Sequence, residues 1–495
     1  LVVTMVIGGV SQSGRGRPAA PAPPKPQPVP KVPVTGPVVL GIPDGGKLAR
    51  QDGGGGPGRF LLRNGLTVVI RERHSAPLVA IEVGVRVGWG DEQAGRAGMA
   101  QLVQELLISG RVKGEETRGK SIEQEVARLG GRMLARVGAG ESGITIVVPA
   151  ESYVETVGLL AGLISDPDLS GPAIERAVRR LELREMEQRG EQGPDKRGEV
   201  ERLMGKREIE AAAAVADQFP VAEIAAFHRR FYQPGNMVVA VVGDIFSLPA
   251  LGQIQLKFGA LAGGPKVAES GGETVATGGL QYRNRRAMIN QSVVTIGYRL
   301  PAPTGRRPGP ADLKERAVID VLAAVLGLGR GSRLHQGLRE GLASRDRASV
   351  AMAVRTWRER SHERDWLMTQ LAVDPGRIDR AEAEYFREIE RLRREVISEG
   401  ELRRAITMLE KRHYDALETI EGEAERLASS QLLDGDYQIA ENAFSRQQGV
   451  TAVEVQQAAA RYLTLSETSV RELEPSKGPE RTFSAEKFAE LIVAF

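Results

Sequence analysis

The stretch Phe231-Tyr232-Gln233-Pro234-Gly235-Asn236-Met237, continued by Val241-Val242-Gly243-Asp244-Ile245, joins two elements of predicted secondary structure. A helix is predicted over 221–232 and a strand over Met237–Val242, with a Pro-Gly pair marking the turn between them. This connection closes the first of two long segments of the chain. The fold therefore depends on the order of elements in that segment and on whether the second segment repeats it.

The two segments contain strands and helices in the same order. In the first, strands are predicted at 66–70, 79–87 and 133–148, and helices at 98–109, 121–129, 151–164, 172–190 and 221–232. In the second, strands are predicted at 292–298, 347–354, 366–373 and 468–471, and helices at 312–326, 332–340, 377–398, 400–431 and 451–462. The repetition predicts a duplicated α+β unit, each copy a mixed or antiparallel sheet packed against helices.

Composition divides the chain further. Pro, Gly and Ala dominate the sequence before the first segment, and glycines recur between the two segments, so neither stretch can offset its ordering entropy by burial. The predicted organisation is a signal segment at 1–10, a Pro/Gly-rich linker at 11–57, an N-terminal domain at 58–261, a second linker at 262–283, a C-terminal domain at 284–475 and a helical tail at 476–495.

Composition also excludes several classes of function. The chain contains no cysteine, which rules out disulfides and thiolate zinc sites. Its formal net charge is only +3, and opposite charges alternate, as at Arg358, Glu359 and Arg360. Such interleaving is typical of solvated helix faces and predicts no nucleic-acid partner.

The apolar run Leu1–Val10 bears on location. It is shorter than the about 20 residues that a membrane-spanning helix needs, so no transmembrane span is predicted. It has the length of the apolar core of a signal peptide, and a stretch resembling a tether follows it. The sequence therefore predicts a periplasmic or exported protein, with a cytoplasmic location as the alternative.

The first segment carries a series of motifs that resembles a known family. Asn64-Gly65-Leu66 precedes a strand, Gly88-Trp89-Gly90-Asp91-Glu92 follows the next strand, and Gly98-Met99-Ala100-Gln101 opens a helix. This frame, together with the Phe231–Ile245 stretch, is similar to the insulinase (pitrilysin, M16) zinc peptidases. The resemblance covers roughly residues 58–475 and implies two tandem homologous insulinase-type α/β half-domains.

In that family the helix carries His-x-x-Glu-His, whose two imidazoles share one helix face and bind zinc while the Glu acts as general base. This sequence has Gln101, Gln104 and Glu105 at the three positions. Neutral amides are poor zinc ligands and cannot accept a proton at neutral pH. The apolar residues of the helix lie on another face, which predicts that the helix keeps its packing role and has lost its catalytic face.

The family's third zinc ligand is a Glu on a later helix, and the resemblance assigns it to Glu182 in Glu175-Arg176-Ala177-Val178-Arg179-Arg180-Leu181-Glu182. The alternative interpretation is an ordinary salt-bridged helix face, because Glu175 and Glu182 stand among arginines. One carboxylate ligand does not make a zinc site. The sequence predicts no bound metal and no cofactor.

The remaining substrate contacts implied by the resemblance are also incomplete. Gly130-Gly131 matches the residues before the family's substrate-pairing edge strand, but Leu134 stands where the family has Asn. In the second segment Arg339 matches an Arg that contacts the substrate, and Ser344 stands where active systems have Tyr. Arg339 is thus the single predicted substrate-binding residue.

Three functional hypotheses follow. The first is a non-catalytic subunit of a heteromeric M16-type peptidase, which supplies chamber wall and substrate contacts to a partner that carries His-x-x-Glu-His. The second is a stand-alone envelope protein that binds peptides or acts as a scaffold. The third is residual metallopeptidase activity. The partners expected under the first hypothesis are the zinc-bearing subunit and a peptide substrate.

Overall fold

The structure is a computed structural model that describes residues 57–92, 98–111, 120–191, 219–264, 267, 279–287, 289–301, 307–341, 348–360 and 365–477. The predicted signal segment, most of the first linker, Ser344 and nearly all of the predicted helical tail lie outside these ranges. Within them, no helix is long and apolar enough to cross a lipid bilayer.

The first half of the described chain forms one six-stranded mixed sheet with helices. Its strands are β1 (Gly58–Leu61), β2 (Thr67–Glu72), β3 (Leu78–Val85), β4 (Arg132–Val137), β5 (Ser142–Pro149) and β6 (Met237–Gly243). Its helices are α1 (Met99–Ser109), α2 (Ile122–Arg128), α3 (Tyr153–Ser165), α4 (Gly171–Glu191), α5 (Val221–Phe231) and α6 (Ser247–Phe258). The strand order is β1-β2-β6-β3-β5-β4, with β2 and β6 parallel and the other pairs antiparallel.

The second half repeats this plan. Its strands are β7 (Gln281–Ala287), β8 (Ser292–Arg299), β9 (Ala353–Glu359), β10 (Trp366–Val373) and β11 (Thr468–Pro475), in the order β7-β11-β8-β10-β9. Its helices are α7 (Pro310–Gly327), α8 (Ile378–Arg394), α9 (Glu399–Glu418), α10 (Ile420–Asp434), α11 (Gln438–Glu441), α12 (Ala443–Gln448) and α13 (Ala452–Tyr462). The predicted α+β class with two repeated halves is confirmed.

Each half has its own apolar core between one sheet face and the helices. In the first half Val79, Ile81 and Val83 of β3 point into a core shared with α1, α3, α5 and α6. In the second half Val294 and Ile296 of β8 point into a core shared with α7, α8 and α13. Alternate residues of a strand point to opposite faces of the sheet. The apolar residues on the other face of the first sheet therefore need a second element packed against them.

Helix α10 of the second half supplies that cover for the first sheet. Its residues Ala424, Leu427 and Leu432 pack against Ala80 and Ala240 of the sheet's other face. Acidic residues at the helix margins pair with arginines of the first sheet: Glu421 with Arg132, Glu423 with Arg71 and Arg73, and Glu425 with Arg136. The two halves are therefore joined by an apolar contact with an ionic border.

Three predicted elements are corrected by the structure. The helix predicted over 400–431 is two helices, because Thr419 is extended and its side chain accepts from the Gly422 amide to start α10. The strand predicted at 347–354 is β9, whose register with β10 begins only at Ala353. The predicted linker 262–283 ends too late, since β7 starts at Gln281 and pairs in parallel with β11.

Candidate functional site

The N-terminus of α1 is fixed by the residue that ends the preceding motif. Gly98 has a φ of +96°, a left-handed conformation that favours glycine. The backbone amides of Gly98 and Ala100 each donate to the carboxylate of Glu92 at 2.8 Å. A buried carboxylate that accepts from first-turn amides stabilises a helix start. The loop and the helix are thereby held as one unit.

The apolar stripe of α1 is where the sequence predicts it. The five residues that form it are buried in the first core: Met99, Leu102, Val103, Leu106 and Leu107. Two of the polar motif positions are also buried, since Gln104 is only 4% exposed and Glu105 only 1% exposed. Gln101 is half-buried. The polar positions of the motif are covered by other parts of the first half.

Gln104 is held by two hydrogen bonds. Its Nε2 donates to the carbonyl of Gly143 at 2.7 Å, and its Oε1 accepts from the hydroxyl of Tyr232 at 3.2 Å. Burial raises the pKa of Tyr232, so its hydroxyl keeps the proton that it donates. Both polar ends of the amide have partners. The side chain therefore cannot turn toward a ligand without losing two buried hydrogen bonds.

His228 belongs to the same buried group. Its ring stacks on Tyr232 with 4.7 Å between centroids, and the ring is 6% exposed. Burial, with the nearby charge of Arg229, lowers the pKa of His228 to about 4. The imidazole is neutral at physiological pH, and its stacking adds apolar packing behind Gln104.

Glu105, at the position of the second zinc-binding histidine, forms an ion pair with α4. Its Oε1 lies 2.7 Å from Nε of Arg180. The other two guanidinium nitrogens of Arg180 donate to Glu123 of α2 at 2.8 and 2.6 Å. Hydrogen bonding to Glu123 and the charge of Glu105 raise the pKa of Arg180. One guanidinium thus joins α1, α2 and α4.

A zinc site at α1 would need several nitrogen, sulfur or carboxylate ligands close together. The backbone of Glu182 lies in α4, but its side chain is outside the described residues. Among the residues that are described, no group of three or more His, Cys, Asp or Glu side chains could hold a metal ion. The donor set around α1 consists of two amides and one carboxylate that already has a guanidinium partner. These residues do not fit zinc, which prefers nitrogen and sulfur ligands with open lone pairs.

Strand β4 runs beside α1 at the edge of the first sheet. It pairs with β5 on one side, and no described strand pairs with its other side. Gly130, with a φ of +74°, and Gly131, where a Cβ would meet the Val147 carbonyl at 2.6 Å, bring the chain into this strand. Leu134 is 53% exposed. The edge is therefore accessible for pairing with an extended peptide.

Arg339 belongs to the second half of the chain. It ends the short helical segment His335–Arg339 of the second half, which packs against α8 and β9, and its side chain is exposed. The role predicted for Arg339 stays a prediction.

Two partners of the motif residues were not predicted from the sequence. Arg180 lies within the Glu175–Glu182 stretch, which resembles a surface charge pattern, and Tyr232 lies within the Phe231–Ile245 stretch. A signal for Arg180 existed: a glutamate in a buried helix position requires a cation nearby. Tyr232 had none, because its partner lies on a different element.

Comparison with known proteins shows which family this chain is similar to. A family model described as the inactive domain of M16 peptidases matches residues 218–409, which includes α5, β6 and α7 but not α1. The chain is also similar to an uncharacterized zinc protease of Rickettsia bellii, with 22% identity over 416 residues that cover 82% of this chain and 95% of that protein.

Two solved structures share the fold. A protease from Helicobacter pylori matches with a TM-score of 0.73 at 18% identity, covering 85% of this chain and 99% of that protease. The periplasmic protease PqqL from Escherichia coli matches with a TM-score of 0.66 at 16% identity, covering 88% of this chain but 50% of PqqL. This chain thus spans half the length of PqqL.

Proposed function

We propose that this chain is a non-catalytic subunit of a heteromeric M16 peptidase. The observation that carries the proposal is the Glu105–Arg180 ion pair, 2.7 Å long, at the position where the family holds zinc. A cationic side chain there repels a divalent cation, and Gln104 offers neither a zinc ligand nor a base. The chemistry must then come from another chain.

The contribution of this chain would be a surface for the substrate. Strand β4 has an open edge beside α1, and an extended peptide can add to such an edge through backbone hydrogen bonds. Backbone pairing does not need the Asn that Leu134 replaces, so substrate contact can persist without catalysis. The exposed Leu134 side chain supplies an apolar contact next to the pairing edge.

The resemblance to insulinase-type peptidases suggests the kind of partner. Those peptidases enclose their substrate between two double-domain units, and this chain matches one half of PqqL. The partner is defined by chemistry as an M16 chain that carries His-x-x-Glu-His. It would supply the zinc and the general base, and this chain would supply the facing wall.

Co-expression with such a chain tests the proposal. We expect a complex of defined stoichiometry in size-exclusion chromatography with light scattering, and peptide cleavage by the complex at a higher kcat/KM than by the partner alone. All zinc in the complex should belong to the partner. A monomer that leaves the partner's cleavage unchanged would contradict the proposal.

The edge strand is tested within that complex. Leu134→Asp places a charge on the exposed face of β4 and should raise KM for the peptide while leaving complex formation intact. Leu248→Asp is the matched control, because Leu248 is also exposed, at 59%, but lies on α6. Equal effects of the two substitutions would argue against peptide pairing at β4.

The open edge of β4 also favours a second candidate, a stand-alone peptide-binding protein. The same experiment separates the two: peptide binding by the isolated chain, with no complex formed, supports the second. We further propose a periplasmic or exported location, supported by the apolar run Leu1–Val10 and the Pro/Gly-rich stretch after it. Fractionation of the native host tests this location.

A further inference from the structure

A cavity of about 500 Å³ lies in the second half, between α7, α9, α10 and α12. Helix α10 separates it from the first sheet. The apolar face of α10, with Ala424 and Leu427, packs on that sheet, while its polar face, with Arg426 and Ser429, lines the cavity. Cavities of this size commonly hold small molecules.

The cavity lies beside α7, at the position in the second half that corresponds to the polar motif of α1 in the first half. Each helix carries two adjacent pairs of buried aliphatic residues at the same spacing: Leu102-Val103 and Leu106-Leu107 on α1, and Val321-Leu322 and Val325-Leu326 on α7. Matching these pairs aligns Ala323 and Ala324 with Gln104 and Glu105. Both alanines line the cavity. Polar side chains fill this position in the first half, whereas short side chains leave room in the second.

The carboxylates of the cavity wall already have cationic partners. Asp434 lies 2.6 Å from Arg316 and 2.5 Å from Arg360. Asp320 lies 3.3 Å from Arg358. The third carboxylate, Glu425, pairs with Arg136 of the first sheet at 3.0 Å. None of these acids is left to neutralise a further cation on the wall.

Three more arginines line the same cavity: Arg412, Arg426 and Arg446. None of them forms an ion pair with a carboxylate of the described residues. Arg426 contacts His413 at 3.0 Å and donates to the Ala440 carbonyl, and Arg446 donates to the Ile439 carbonyl at 3.0 Å. The acids nearest Arg426, Glu423 and Glu441, are both bound by Arg71. Burial lowers the pKa of Arg426, and the charges of Glu441 and Glu423 only partly offset burial and the charge of Arg71.

The cavity wall carries six arginines and three carboxylates, so it has an excess of positive charge that a bound anion would balance. Guanidinium groups bind phosphate and carboxylate oxygens through charge-assisted hydrogen bonds. Leu409 and Phe444 give the same cavity an apolar wall. We propose that this cavity binds a small organic anion with two or more phosphate or carboxylate groups, held by Arg412, Arg426 and Arg446. This site is independent of the proposed peptidase role.

Titration calorimetry on the full chain tests the site, with inorganic pyrophosphate and citrate as separate probes. We expect saturable binding of one probe at one site per chain, and the stronger probe distinguishes a phosphate ligand from a carboxylate ligand. Arg412→Gln should weaken binding by about tenfold or more, because a hydrogen bond to a charged group is lost. Arg412 is exposed and has no described ion pair, so the fold should persist.

Arg403→Gln is the matched control, since Arg403 lies on the same helix, is exposed and does not line the cavity. It should leave the affinity unchanged, and Arg446→Gln should weaken binding as Arg412→Gln does. Absence of binding by both probes would overturn the proposal. So would equal loss of affinity in Arg403→Gln and Arg412→Gln, which would indicate nonspecific attraction.

Discussion

Nε of Arg180 lies 2.7 Å from Oε1 of Glu105, and the same guanidinium donates two hydrogen bonds to Glu123. In the zinc peptidases that the chain resembles, a metal ion joins the helices at the corresponding positions. Here a single side-chain cation joins α1, α2 and α4.

Replacing Arg180 and replacing Glu105 should lower the free energy of unfolding by different amounts. Arg180→Gln leaves Glu105 buried without a cation and should lower the free energy of unfolding by about 2–3 kcal/mol, below the range for fully buried pairs because Arg180 is partly exposed. Glu105→Gln leaves Arg180 bound to Glu123 and should cost about 1 kcal/mol. Urea denaturation measures both. Equal costs would contradict the assigned burial of Glu105.

Restoring the motif should not restore zinc binding. The substitutions Gln101→His, Gln104→Glu and Glu105→His recreate His-x-x-Glu-His on α1, but Arg180 would still present its charge to the site. We expect less than stoichiometric zinc after dialysis. Adding Arg180→Gln should raise zinc affinity by at least about tenfold, since a cation near the site is removed. Competition with a chromogenic chelator measures the affinities.

The motif substitutions without Arg180→Gln serve as the control in that series. Stoichiometric zinc in the triple variant would show that Arg180 does not oppose the metal. In that case the central role given to the ion pair would be wrong.

Among the arginines at the contact between the halves, Arg136 should cause the largest loss of stability when it is replaced. It lies 2.8 Å from both Glu82 and Glu141 and 3.0 Å from Glu425 of α10. Arg136→Gln leaves Glu82, which is fully buried, without its cation, and should destabilise the chain by about 3 kcal/mol. Arg132 lies on the same strand, and its side chain is exposed and paired with Glu421. Arg132→Gln should therefore lower the free energy of unfolding by less than about 1 kcal/mol. Thermal unfolding separates the two.

Acidic residues of the second half should make stability fall as the pH rises. Burial raises the pKa of Glu472 to about 7, and burial with the charge of Glu472 raises the pKa of Glu382 well above its ordinary value. The unfolded chain releases these protons near pH 4.5, so the folded state holds protons that the unfolded state has lost. Their stabilisation is complete below pH 4.5 and is lost as the pH rises through about 7.

Glu382→Gln tests that relation. The variant removes one ionisable group from the pair, so its free energy of unfolding should fall less between pH 5 and pH 8 than that of the unmodified chain. Urea denaturation across this pH range supplies the comparison. Parallel pH profiles for the two proteins would show that Glu382 does not hold a raised pKa.

Local features of the fold were predictable because they depend on nearby residues. The apolar spacing of Met99, Leu102 and Leu106 predicts α1 without any knowledge of the elements that it packs against. The break at Thr419 was not predicted, since the residues on both sides favour helix and only the cap to Gly422 separates α9 from α10. The packing of α10 against the first sheet is a tertiary contact, which helical periodicity does not predict.

The residues at the motif positions could be read from the sequence, but their partners could not. Gln101, Gln104 and Glu105 in the sequence predict that the zinc ligands are lost. What took their place depends on Arg180 and Tyr232, which reach α1 only after the first half has folded. Single-sequence patterns identify the missing chemistry, whereas the buried partners require the packing of helices against one another.

The zinc content and peptidase activity of the purified chain, measured without any partner, test the central claim most directly. The account predicts substoichiometric zinc by mass spectrometry and no chelator-sensitive cleavage of peptides, with the Glu105–Arg180 ion pair intact. One zinc per chain together with cleavage that a chelator abolishes would contradict it.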